Sequence, residues 1–161
     1  MPFDITVPQE DQFAEIVALW HSAWHDAHAN HVPRALTVQR SLEDFKARLP
    51  RLLEGMRVVK ADGRVAGLCV IRDDEMQQLF VAPEMYGSGV GQALLSDAEQ
   101  RLAASGIRRA WLVCVIENAR AAAFYQKAGW QEVGRMVDPL ETSTGRFDLC
   151  VLRFEKSLRG A

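Results

Sequence analysis

Between a β-rich run and an amphipathic stripe the chain reads Gly87-Ser88-Gly89-Val90-Gly91, and no other stretch limits the fold as sharply. A strand that turns through glycines into a helix start leaves the first helical N–H groups without intrahelical partners. The helix dipole adds roughly half a positive charge at that end. Glycines let the backbone approach an anion with no Cβ in the way. Taken alone this is equally a tight turn before a helix; as a binding site its natural guest is a pyrophosphate. The spacing argues against two nucleotide folds. A P-loop needs GxxxxGK[ST], whereas Gln92 and Ala93 follow Gly91, and a dinucleotide fingerprint needs GxGxxG, whereas these glycines are spaced by two.

The flanking residues give the frame. Phe3, Ile5 and Val7 alternate into a short strand that ends at Pro8. Phe13, Ile16, Val17, Trp20 and Trp24 form one helical stripe, which has to stop before Pro33. Ser41 with Asp44 reads as the start of a second helix reaching about Leu53. From Met56 the period changes. Met56–Lys60 and Val65–Ile71 read as strands joined by a type I′ turn at Asp62-Gly63, with Gly67 marking a bulge. Met76–Ala82 is a third strand, halted by Pro83, and the helix after the glycine turn ends at Gly106. Ala110–Ile116 is a buried strand, Asn118 caps a further helix closed by Gly129, and two last strands span Trp130–Val137 and Arg146–Phe154. Strand, helix and strand around the turn imply two parallel neighbours in a mixed sheet, so the class is α/β or α+β with one sheet.

Charge and composition narrow the partners. A formal net charge of -2 over 161 residues leaves no basic footprint for nucleic acid. No window approaches the roughly 20 apolar residues that span a bilayer, and Met1-Pro2-Phe3-Asp4 lacks a basic leader, so a cytoplasmic protein is expected. Cys69, Cys114 and Cys150 lie in apolar runs without a CxxC pair, and are read as buried hydrophobes. His21 and His25 stand four apart, but Ser22-Ala23 replaces a zincin glutamate, and no metal is expected.

Two separate segments carry a family resemblance. Pro83–Leu95 resembles the pyrophosphate-binding motif of the GNAT superfamily of acyl-CoA-dependent N-acetyltransferases: Arg or Gln, two residues, Gly, one residue, Gly or Ala. Gly89 and Gly91 match the small positions, while Tyr86 stands where the family has Arg or Gln. Downstream, Asn118–Trp130 looks like the family's N-x-x-A-x-x-F-Y-x-K-x-G-F/W segment. The likeness is specific from about Val65 to Trp130.

The resemblance implies a single N-acetyltransferase domain over residues 1–161. Its sheet would be mostly antiparallel with a central, splayed parallel pair flanked by helices. It implies acetyl-CoA as co-substrate. Leu79, Phe80 and Val81 would line the pantetheine arm as backbone partners, and an N–H of Leu79 or Phe80 would face the thioester oxygen. Tyr86, Gly87, Ser88, Gly89, Val90, Gly91 and Gln92 would cradle the pyrophosphate, with Asn118, Ala121, Phe124 and Tyr125 along the coenzyme. Tyr125 would protonate the departing thiolate, its phenol being neutral at pH 7. By period two, Glu75 and Gln77 share a face with Leu79, which makes Glu75 the candidate base. Trp24, His28 and His31 would help wall the acceptor pocket. The expected reaction is acetyl transfer to a primary amine of a small molecule or peptide, with homodimerisation through the last strands. The rival reading is a non-catalytic acyl-CoA sensor of the same fold.

Overall fold

Alternating apolar residues from Met56 onward build one sheet, and the helical stripes before and between the strands supply its cover. A computed structural model describes residues 3–159. Met1 and Pro2, part of the opening segment read as lacking a leader, lie outside the described residues, as do Gly160 and Ala161. In chain order the elements are β1 (Asp4–Thr6), α1 (Phe13–His28), α2 (Arg34–Gln39), α3 (Leu42–Leu52), β2 (Met56–Ala61), β3 (Arg64–Arg72), β4 (Glu75–Val81), α4 (Val90–Ala104), β5 (Arg109–Val115), α5 (Ala119–Lys127), β6 (Gln131–Thr142) and β7 (Gly145–Ser157). The helix α2 carries no long apolar stripe and was not legible as an element.

The seven strands run β1-β2-β3-β4-β5-β7-β6, and among them only β4 and β5 pair in parallel. The crossover between those two is α4, as the strand-helix-strand order requires. Each face has its own core. Val90, Leu94, Ala98 and Leu102 of α4 pack with Cys69, Leu112, Tyr125, Trp130 and Phe154 on one side. On the other, Ile16, Trp20 and Trp24 of α1 and Phe45 and Leu49 of α3 meet Val58, Leu68 and Val70.

Local chemistry sets the joints. Asp62 and Gly63 both take positive φ, 53° and 75°, as a type I′ turn demands. The Ser41 hydroxyl accepts from the Asp44 amide at 3.2 Å and starts α3. The bulge read at Gly67 falls one residue earlier: the β2–β3 register passes from Val59↔Gly67 to Lys60↔Val65 and leaves Ala66 as the extra residue. Gly67 answers a different need. A Cβ there would lie 2.8 Å from Leu94 Cδ1 and 3.0 Å from the Phe80 oxygen, so its absence lets α4 sit close on the sheet. Cys69 and Cys114 are buried as expected, but Cys150 is exposed. It lies in β7 opposite Val137 of the edge strand β6, a residue itself exposed.

Candidate active site

The site begins where β4 and β5 part. Their single register pair is Glu75 with Trp111. Asp74 pins that end, its carbonyl accepting from the Trp111 amide at 3.2 Å and its carboxylate from the indole Nε1 at 2.8 Å. Beyond it the strands splay. The Ala82 amide donates to the Ala66 oxygen at 2.8 Å, and Phe80 stands opposite Leu68. Alternation in an antiparallel ladder then directs the amides and carbonyls of Gln78 and Phe80 toward β3, and those of Leu79 and Val81 into the gap. The expectation for Phe80 is thereby corrected. Its backbone serves β3; only its ring, 5.8 Å from that of His28, reaches the cleft.

A second correction concerns Glu75. The β3–β4 register moves from Val70↔Gln78 to Ile71↔Met76, leaving Gln77 as an extra residue. A bulge inverts the alternation of the strand beyond it. Leu79 packs with Cys69 and Met76 on the α4 side, whereas Phe80 packs on the α1 side. Glu75, opposite Arg72, falls on the α1 side. Period two placed Glu75, Gln77 and Leu79 on one face; the bulge puts Glu75 on the face opposite Leu79. Gln77 lines the cleft, and its Oε1 is buried with no hydrogen-bond partner.

At the mouth of the fork the chain turns. Gly87 and Gly89 take φ of 80° and 95°, and Gly89 is the N-cap of α4. The Ser88 hydroxyl accepts from the Val90 amide at 3.3 Å, and Val90 itself is in the core. So one donor of the expected cradle is already engaged. Neither Ser88 nor Val90 lines the cleft, while Gly87, Gly89, Gly91 and Gln92 do. The Gly91 and Gln92 amides, in the first turn of α4, have no partner within the helix. Tyr86, in the position where the resembled motif has Arg or Gln, donates its hydroxyl to Asp26 at 2.9 Å. The guanidinium of Arg120 lies 3.4 Å from the centre of its ring. The charge missing at position 86 is thus present from α5, stacked on the residue that replaced it.

On α5, Asn118 caps the helix by accepting from the Ala121 amide at 3.1 Å. Phe124 backs the turn: a Cβ on Gly91 would meet its ring and Val81 at 3.5 Å. Tyr125 is 8% exposed, packed against Phe124, Trp130 and Phe154, and lines the cleft. Burial, with Cys114 and Cys69 adding to it, pushes its phenol well above the ordinary tyrosine range.

The α1 side of the cleft carries the remaining candidates. Burial, Asp138 and Asp74 raise the Glu75 carboxyl to about 7, and burial also raises that of Asp138 on β6. Trp24 and His28 are in edge contact at 5.6 Å. Burial, His31 and Arg40 lower His28 to about 4, so its ring is neutral, and its Nδ1 is buried without a partner. His31 sits at the rim, 3.7 Å from Glu117. His25 Nε2 lies 2.6 Å from the Arg40 carbonyl oxygen. Among the described residues no group of three His, Cys, Asp or Glu side chains is placed to hold a metal. The whole cleft measures about 930 Å³ and passes through the fork from the glycine turn to the α1–α3 side. Sequence reasoning missed Arg40, Arg48, Arg120 and Asp138, whose positions depend on how α2, α3, α5 and β6 fold over the cleft.

The fold is a mixed α/β domain whose cleft threads a forked parallel pair, with an anion-ready turn at one end and a carboxyl of raised pKa at the other. Residues 13–130 match the acetyltransferase (GNAT) family, and the chain belongs to it. An uncharacterized N-acetyltransferase of Mycobacterium bovis is 27% identical over 106 residues, covering 63% of this chain and 68% of that protein. Mycothiol acetyltransferase of Streptomyces griseus is 28% identical over 119 residues, 70% of this chain but 39% of that protein. In fold, a GCN5-related N-acetyltransferase from Rhodopseudomonas palustris superimposes with a TM-score of 0.79 at 20% identity, covering 98% of this chain and 97% of that one. The PaiA N-acetyltransferase of Thermoplasma acidophilum, solved with coenzyme A, gives 0.67 at 19% identity, covering 98% and 99%. No described helix is long and apolar enough to cross a membrane.

Proposed function

We propose that this protein transfers an acetyl group from acetyl-CoA to a primary amine of a small molecule or peptide by direct attack on the thioester. The observation that carries the reading is the fork: β4 and β5 share one register pair and then part, leaving the Leu79 main chain without a strand partner on that side. An extended pantetheine arm fits there as an added strand. The PaiA N-acetyltransferase and a phosphinothricin acetyltransferase of Sinorhizobium meliloti were solved with coenzyme A and acetyl-CoA, which supports the same carrier here. The residues present fit it. The Gly91 and Gln92 amides point out of the start of α4, and Arg120 supplies the cation.

The chemistry follows from the placement. Glu75 on the α1 side accepts the proton that the amine loses as its nitrogen bonds to the thioester carbon. The Leu79 N–H holds the oxyanion that forms. As the C–S bond breaks, Tyr125 on the α4 side gives its phenolic proton to the sulfur. Water returns a proton to Tyr125 and takes one from Glu75. Base and acid thus act from opposite sides of the sheet, through the gap between its strands. Homodimerisation would use the edge strand β6, whose Val133 and Val137 are 47% and 59% exposed; sedimentation giving a monomer at high concentration removes that part.

The test of the activity is thiol release from acetyl-CoA across a panel of amines. Acceptor-dependent release supports the reading, whereas tight coenzyme binding with no release for any amine makes the protein a binding module. A pH profile tests the base. With an acceptor already deprotonated at pH 5, kcat/KM is expected to climb about tenfold per unit up to about pH 7 and then level, following ionisation of Glu75. Glu75→Gln should erase that limb and lower the plateau about 10²-fold or more. A carboxyl whose folded pKa is raised binds its proton more tightly in the folded state, so its contribution to stability falls as pH rises from its unfolded value to about 7. Glu75→Gln should therefore melt higher than the parent at pH 8. A limb that survives the substitution assigns the base elsewhere.

A further inference from the structure

On the α1 side of the cleft lies a buried charge imbalance. Arg40, Asp44 and Arg48 are 3%, 1% and 5% exposed. Arg40 Nη1 and Arg48 Nε both donate to the same Asp44 oxygen, each at 3.0 Å. The other Asp44 oxygen accepts from the Ser143 amide at 2.7 Å. Burial pushes the Asp44 carboxyl up, but the Ser143 amide and the two guanidiniums outweigh it and hold it low. That leaves two cations against one anion where water is scarce, and an uncompensated buried charge is costly.

The arginines are only partly satisfied. Arg40 Nη1 also donates to the Glu141 oxygen at 2.7 Å, yet its Nε is buried with no partner. Arg48 makes no further hydrogen bond among the described residues beyond that from its Nε; its guanidinium rests on Trp20 and Phe45, 4.6 and 4.8 Å from their ring centres. Burial, followed by the Arg40 charge, lowers Arg48 to about 10. Both side chains line the cleft, as does Arg51, which is paired with Glu141; Arg72 stands apart from them, opposite Glu75. Arg40 is 5.9 Å from the Trp24 ring, which touches His28, which touches Phe80 at the fork. Facing them, Glu75 and Asp138 form a second, acidic pole. The cleft thus carries two poles of opposite sign.

We infer that the acceptor is zwitterionic, its amine facing Glu75 and Asp138 and its oxyanion, a carboxylate or a phosphoryl group, docking on Arg40 and Arg48. The guanidinium fork suits either oxyanion. This rests on the amine-acetylation reading above and narrows its substrate class. A neutral or polycationic amine leaves the arginine pole unpaired and is a poor acceptor.

Matched amines test it on the unmodified protein. Aminoalkyl carboxylates, their carboxamides and the corresponding phosphonates, over several chain lengths, are compared by thiol release from acetyl-CoA. The best oxyanion is expected to exceed its carboxamide at least tenfold in kcat/KM, and Arg48→Met should bring that ratio to within about twofold of one. Carboxylate alone or phosphonate alone giving the preference tells which oxyanion is meant; carboxamides equal to or better than both overturn the inference. Calorimetry of N-acetylated acids and N-acetylated amides on the CoA-loaded protein separates this from the parent reading. If no amine is acetylated but acids bind in an Arg48-dependent way, amine transfer falls and the oxyanion pole stands. Equal binding of acids and amides, or binding of neither, removes the pole.

Discussion

Gly89→Glu is expected to reduce acetyl-CoA affinity by at least a hundredfold while leaving the protein folded. Two separate effects act at that position. Gly89 caps α4 at φ 95°, a conformation that costs an L residue roughly 1–2 kcal/mol. A Cβ there meets nothing closer than Phe3 at 3.6 Å, so the change brings strain without a clash and the fold survives. The second effect is charge. A carboxylate at the start of α4 occupies the place where the helix dipole and the Gly91 and Gln92 amides favour an anion. It competes for those amides and repels a pyrophosphate.

Gly89→Ala separates the two contributions, since it keeps the strain and adds no charge; a loss of about tenfold or less is expected from it. Arg120→Ala should weaken binding severalfold at low salt and less at high salt, because this cation is at the surface and screened. Calorimetric titration with acetyl-CoA, with far-ultraviolet circular dichroism as the folding control, measures all three. Affinity for Gly89→Glu within threefold of the parent would mean that the turn is only a turn.

How far the sequence reached is decided by what kind of interaction fixes each feature. The strands, the type I′ turn at Asp62-Gly63, the Asn118 cap and the glycine turn all depend on residues within a few positions of one another, and each was legible. The parallel pair followed from connectivity alone. Phe80 was misjudged because successive residues of a ladder alternate the side their main chain faces, and Glu75 because of a bulge. That bulge, at Gln77, changes the parity of β4, and nothing in the composition of Glu75–Val81 announces it. The bulge is a property of the register against β3, a long-range pairing that local alternation does not encode. The same limit hid the arginine pole. Asp44 read correctly as part of a helix start, since the Ser41 hydroxyl does accept its amide. Its carboxylate, however, is tied to Arg40, Arg48 and the Ser143 amide ninety-nine positions away, a set that only the closed fold assembles. Cys150 shows the converse error. Its neighbours are apolar, but β7 at that point lies beside the edge strand β6, whose Val137 opposite it is also exposed, so exposure followed position in the sheet and not composition.

Tyr125→Phe is expected to lower the rate of acetyl transfer in a single turnover by one to two orders of magnitude or more, with acetyl-CoA affinity nearly unchanged. The hydroxyl lies at the back of the cleft among Phe124, Trp130 and Phe154 and makes no hydrogen bond among the described residues. Removing one oxygen from such a place leaves no partner unsatisfied, so the melting temperature should hold or rise. What is lost is the phenol on the side of the sheet opposite Glu75; the other tyrosine of the cleft, Tyr86, has its hydroxyl engaged with Asp26. A thiolate expelled into an apolar recess without a proton donor is a poor leaving group, and lost general acids typically cost about 10²–10⁴-fold. Burial raises the phenol pKa, so the donor form persists through the whole neutral and mildly alkaline range. The parent enzyme should accordingly show no falling limb below pH 9 that Tyr125→Phe removes. Rapid-quench measurement at saturating acetyl-CoA and acceptor isolates the chemical step from product release. An unchanged single-turnover rate, at any pH from 6 to 9, would take the proton from Tyr125 and leave that residue a piece of core.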